Sequence, residues 1–200
     1  MLLRIVKFLL VLALAVGQLD AKGCTDLSAQ ILNDLSFQMS GSNLDWPCQS
    51  TKNIYLQSNR YTPKNVIVTR AQIHRDEAFV TLPRLKPGVP FTLGKISMRR
   101  GQCMTKITPY PCWSLQEEGN CQALQSVVDI YLDSNDILWA LDTGLVNTLE
   151  QPVRRCAPKI VGINVRSGRV VQSIDLSGLV VPNSRLQHLV VEYDESGHAF

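Results

Sequence analysis

The segment DIYLDSNDILWALDTG, residues 129–144, has two counterparts in the same chain: AQIHRDEAFVTLPR at 71–84 and HLVVEYDESGHAF at 188–200. In each, apolar and β-prone residues flank a short polar turn, which is how an antiparallel hairpin reads. Aligned on Asp76, Asp133 and Asp194, the copies stand 57 and 61 residues apart. A hairpin that recurs at such a period leaves few architectures open.

The rest of the chain fills the intervals with strands. Short apolar runs between Gly, Pro, Asn and Asp predict strands at 66–74, 78–82, 91–98, 127–132, 137–141, 159–165, 169–176 and 188–193. In the run INVRSGRVVQSIDL, Gly168 stands where a tight hairpin needs positive φ. The strand after it alternates: Val171, Ser173 and Asp175 on one side, Val170, Gln172, Ile174 and Leu176 on the other. Only residues 24–37 carry a helical spacing, with Leu27, Ile31 and Leu35 on one face. The second interval holds two hairpins joined by a long loop, a four-stranded antiparallel unit. Such a unit, repeated, is a propeller blade. The expected fold is all-β, an incomplete β-propeller over residues 61–200, with blade units near 62–100, 122–177 and 186–200. A β-sandwich whose hairpins merely look alike is the alternative that the pattern leaves open. A blade buries its faces only against neighbours, so two blades and one hairpin predict the front part of a longer protein.

Residues 1–21 read as a secretory signal peptide, with cleavage after Gly17 or Ala21. Arg4 and Lys7 precede FLLVLALAV at 8–16, nine apolar residues, too few to span a bilayer. Residues 22–60 then form a lead segment. Removing 1–21 takes away Arg4, Lys7 and Asp20 and leaves 18 basic against 16 acidic residues. Those charges are scattered, which argues against a nucleic-acid surface, and no later run is long and apolar enough for a membrane span. All six cysteines, Cys24, Cys48, Cys103, Cys112, Cys121 and Cys156, follow the signal. An oxidising compartment makes disulfides the default, and six cysteines allow fifteen pairings. There is no C-x-x-C, and His74, His188 and His198 fall at no ligand spacing, so neither a metal site nor a cofactor is expected.

The words of the sequence add a resemblance. TPKNVIVTRAQIHRDEAFVTLPRLKPGVPFTLGKI (62–96), PYPCWSLQEEGNC (109–121), ILWALDTGLVN (137–147) and CAPKIVGINVRSGRVVQSIDL (156–176) resemble the insect yellow and major royal jelly protein family, most closely its yellow-type members. The resemblance covers residues 40–200. It implies a secreted six-bladed propeller of about twice this length, of which the chain would hold about two and a half blades. It implies a role in pigmentation or cuticle maturation, on dopachrome-like indoles. It equally accommodates a non-catalytic extracellular binder of small aromatic amines, or a structural protein, so it leaves enzyme and binder both open. The expected partner is a small catecholamine- or indole-type ligand.

Candidate residues follow from the inner strands, which line a propeller's channel. Gln72, His74, Asp129, Tyr131, Glu192 and Tyr193 are their polar members. An amine prefers a carboxylate beside an aromatic face, which singles out Asp129 and Glu192 as ligand-binding candidates. No catalytic residue is assigned. Asp142-Thr143-Gly144 matches the aspartic-protease word, but that chemistry needs a paired carboxylate and the chain holds no second copy. A turn role, with Asp142 capping and Gly144 relaxing the turn, is the expectation. Trp113 and Trp139 read as packing aromatics. The family resemblance supports a Cys121–Cys156 disulfide, closing the long loop of the second unit. Cys103–Cys112 and Cys24–Cys48 are the remaining pairings considered.

Overall fold

The computed structural model describes residues 39–99, 105–181 and 183–197. The signal peptide, the helix expected at 24–37, Cys24 and Cys103 lie outside the described residues. The strand-turn-strand reading holds: two four-stranded antiparallel sheets carry the fold. The first comprises β1 (Arg70–His74), β2 (Glu77–Thr81), β3 (Leu93–Ser97) and β4 (Thr108–Pro109), hydrogen-bonded in that order. The second comprises β5 (Val127–Leu132), β6 (Ile137–Asp142), β9 (Lys159–Asn164) and β10 (Val170–Asp175). A two-stranded ribbon, β7 (Leu145–Val146) with β8 (Val153–Arg154), occupies the β6–β9 connection. Each sheet is a blade, and the chain is a partial propeller.

The turns explain the register. Arg75 at φ 55° and Asp136 at φ 60° take the left-handed conformation in the two inner hairpins, and Gly168 at φ 68° takes it in the outer one. Asp133 fixes its own turn by accepting Asn135 N at 2.8 Å and Ile137 N at 2.9 Å, the local bonding that favours Asp at such positions.

The blades pack face to face. Phe79, Leu93 and Tyr110 of the first meet Leu124, Val127, Ile130, Leu138, Ala140, Val161 and Ile163 of the second in one buried cluster. The opposite face of the first blade is covered by the lead segment, where Leu44, Tyr61 and Val66 join Val80, Leu82, Phe91, Ile96 and Ile107. Trp46 packs there against Trp113, Tyr55 and Tyr61. Trp139 lies over Gly162, whose missing Cβ makes room: a carbon there would stand 3.0 Å from the indole. Both tryptophans singled out in the sequence are thus packing residues.

Four sequence expectations need correction. Helix α1 (Gln49–Gln57) was not announced; none of its residues is buried, so it has no apolar stripe to read. Residues 66–69 precede β1 in extended form, outside the β1–β2 ladder. All six residues of β10 are exposed, so the expected alternation separates no buried face from an exposed one, and its pairing with β9 shifts register between Val170 and Gln172. Residues 188–193 form no strand; Tyr193 makes an isolated bridge, and no ladder partner exists among the described residues. The turn that follows is nonetheless closed by Gly197 N to Asp194 O at 3.0 Å.

Candidate functional site

The antiparallel order places the starts of β1 and β5 and the ends of β2 and β6 at one end of the blades, with the inner hairpin turns at the other. At the first end, three groups from successive repeats meet. Arg70 and His188 both stand six residues before their repeat's aligned Asp, and Asp129 lies between them on β5. A bulge at Val127–Asp129 in the β5–β6 ladder sets the orientation of Asp129, a usual way for a sheet to re-aim one side chain.

Asp129 is 7% exposed and heavily engaged. Its Oδ1 accepts Ile130 N at 3.0 Å and lies 3.4 Å from Arg70 Nε. Its Oδ2 accepts Leu189 N at 2.9 Å and lies 3.6 Å from His188 Nδ1. Arg70 Nη2 reaches the same Nδ1 at 3.4 Å. The carboxylate is therefore an anchor that holds the third repeat against the second and brings an exposed imidazole to the rim. At 3.6 Å the His188–Asp129 contact is an electrostatic one, beyond hydrogen-bond length. His188 and Arg70 were missed by the inner-strand reading. Their signal was positional, since both occupy the same repeat position.

The other candidates lie elsewhere. Glu192 is exposed, and no bond to Asp129 brings the two together. Gln72 Nε2 donates to Ile130 O at 3.3 Å, a stitch between blades. His74 Nε2 meets Asp136 Oδ1 at 2.8 Å, and Arg166 closes on the other oxygen of that carboxylate. Burial raises the Asp136 carboxyl, but the contacts with Arg166 and His74 outweigh burial and hold it below the usual carboxylate range. Tyr193 Oη donates to Asp133 Oδ2 at 2.5 Å, and Trp139 Nε1 donates to the same oxygen at 2.7 Å. Burial and that carboxylate raise the Tyr193 phenol. Tyr131 is half-buried on β5.

Asp142, fully buried, accepts Gln125 N at 2.8 Å, Ser126 N at 2.8 Å and Gly144 N at 3.0 Å. It caps the turn. Cys121 and Cys156 are joined by a disulfide. Cys48 and Cys112 are exposed thiols. Among the described residues no group of three His, Cys, Asp or Glu side chains is placed to hold a metal, and no helix is long and apolar enough to cross a membrane.

Comparison with known proteins bears on this arrangement. The family model described as "Major royal jelly protein" matches residues 125–200, which carry the second blade and the His188 segment. Dopaminechrome tautomerase of Drosophila melanogaster is 32% identical over 139 residues, 68% of this chain and 30% of that protein. Major royal jelly protein 7 of Apis mellifera is 31% identical over 153 residues, 74% of this chain and 34% of its own length. Protein yellow of Drosophila melanogaster is 28% identical over 163 residues, 79% and 30% respectively. The chain thus spans about a third of the length of these curated relatives. With its two propeller blades, its recurring hairpin and these relatives, the chain belongs to the major royal jelly protein and yellow family.

Proposed function

We propose that this is a secreted yellow-type protein that isomerises aminochromes of the dopa and dopamine series during pigmentation or cuticle maturation. The observation that carries the reading is the imidazole of His188 on the rim, with Asp129 and Arg70 both within reach of its Nδ1. Aminochrome isomerisation moves two protons, one from each of the two saturated carbons of the five-membered ring to the two quinone oxygens, in two successive carbon-to-oxygen transfers with no net oxidation. A carboxylate and a guanidinium on one nitrogen favour opposite tautomers. With Nδ1–H facing Asp129, Nε2 is free to accept a proton. With Nδ1 accepting from Arg70, Nε2 carries a proton to donate. One side chain then serves as base and acid in turn. The similarity to a dopaminechrome tautomerase supports this substrate class. The basic and apolar leader and the Cys121–Cys156 bridge support secretion.

A binding role for small aromatic amines is the second reading. It rests on the family resemblance and on the Asp129 carboxylate at the rim, and it requires an amine to compete with the two main-chain amides and Arg70 that its oxygens already serve. Purified protein at substoichiometric amounts, mixed with dopaminechrome and with dopachrome, separates the two. Colour loss over many equivalents supports the isomerase. Saturation near one equivalent, with aminochrome decay unchanged, supports the binder.

A further inference from the structure

Beyond the ends of β2 and β6, apart from the residues of the rim, lies a cleft of about 450 Å³. Its functional lining is Tyr55, Arg60, Arg84, Glu118, Asn147 and Arg155. The volume suits a small molecule, since ligand sites run from about 300 to 1,000 Å³. The charge is uneven. Arg84 is 2% exposed and fixed by five donations to main-chain oxygens, those of Val89, Leu124, Gln125, Pro90 and Gln116. Burial lowers its guanidinium to about 10, against the attraction of Glu118 and Asp142, so it stays cationic at neutral pH. Asp142 is itself matched by Lys159 at 4.0 Å.

Glu118 is the one carboxylate in the lining, and it is shared. It lies 3.0 Å from Arg155 Nε and 3.8 Å from Arg84 Nε. Arg60 sits over the Tyr55 ring at 4.6 Å, and among the described residues no carboxylate lies within ion-pair distance of it. Three guanidiniums thus face one carboxylate in one half-open recess, which concentrates positive potential there.

We propose that this cleft binds a small organic anion, a carboxylate or a phosphate monoester with a compact body. Arg60 and Arg155 recognise the charged group, in the planar donor geometry that suits both anions. Arg84, with every N–H already committed, supplies fixed positive potential rather than hydrogen bonds. The cleft shares no residue with the Arg70–Asp129–His188 rim and needs no amine, so it stands or falls independently of the isomerase reading.

Calorimetric titration of the purified protein with benzoate, with phenyl phosphate and with benzylamine tests it. One-site saturable binding of an anionic probe is expected, and which one binds more tightly names the source. Benzylamine, of opposite charge, should not bind. Exposed Arg60→Ala should weaken the anion about tenfold, the scale of one charge-assisted bond. Glu118→Gln should tighten it, a gain that a merely structural Glu118 would not produce. Thermal melts of both variants establish folding; if Glu118→Gln unfolds, Arg60→Ala decides. No saturable binding of either anion, or binding unchanged by Arg60→Ala, overturns the proposal.

Discussion

Arg84 shows how much one side chain can hold. Its guanidinium closes five main-chain oxygens from the β2–β3 and β4–β5 connections. Replacing it by Met would leave those oxygens buried and unpaired, and we expect a loss of about 3–5 kcal/mol, read as a lower urea midpoint. Arg84→Lys should recover little, because an ammonium lacks the planar fork. Nothing in the sequence announced this. An Arg in LPRLKPGVP reads as a solvated loop cation, because the convergence of distant carbonyls is a tertiary fact. Asp142 was legible for the opposite reason: one of its partners, Gly144, is two residues away. Asp133 gives a pH signature. Burial raises its carboxyl, but hydrogen bonds from Tyr193, Ile137, Trp139 and Asn135 outweigh burial and hold it below its ordinary value. Its contribution is therefore full above about pH 4 and is lost as pH falls through the lower folded value. The stability gap between the wild type and Asp133→Asn should shrink as pH drops below about 4; a gap constant with pH contradicts this.

At the scale of elements, the β6–β7 corner is the tightest point. Gly144 has φ 64°, and a Cβ there would stand 2.1 Å from Cys156 O. Gly144→Ala should therefore cost several kcal/mol, by strain as well as by collision. The same corner is tied by Cys121–Cys156, which are 35 positions apart. Reduction should lower stability by about 3–4 kcal/mol through the freed loop, measured as a drop in unfolding midpoint under reducing conditions. The hairpins were legible because turn chemistry and strand alternation are local. Strand β4 was not: it is two residues, Thr108 and Pro109, and only its pairing with β3 makes it a strand. Helix α1 and the run at 188–193 failed for the same kind of reason, since neither carries in its own residues the contact that decides its state.

Across the whole chain, the blade pair is held by an apolar cluster and by polar stitches at both ends. Gln72 to Ile130 and His74 to Asp136 join the inner strands, while Val127 N donates to Thr92 Oγ1 at 2.7 Å. The rim was half legible. Asp129 followed from its place on an inner strand. Its partners did not, because His188 and Arg70 come from repeats 118 positions apart and meet only when the blades stack. His188 is the central residue of the proposed chemistry. The direct measurement is the initial rate of dopaminechrome loss with wild type and with His188→Gln, at equal substoichiometric concentrations and with thermal melts alongside. Many turnovers are expected for the wild type, and a rate about 100-fold lower for the variant at an unchanged melting temperature. A variant as fast as the wild type, or a wild type that consumes no more than one equivalent, would contradict that chemistry.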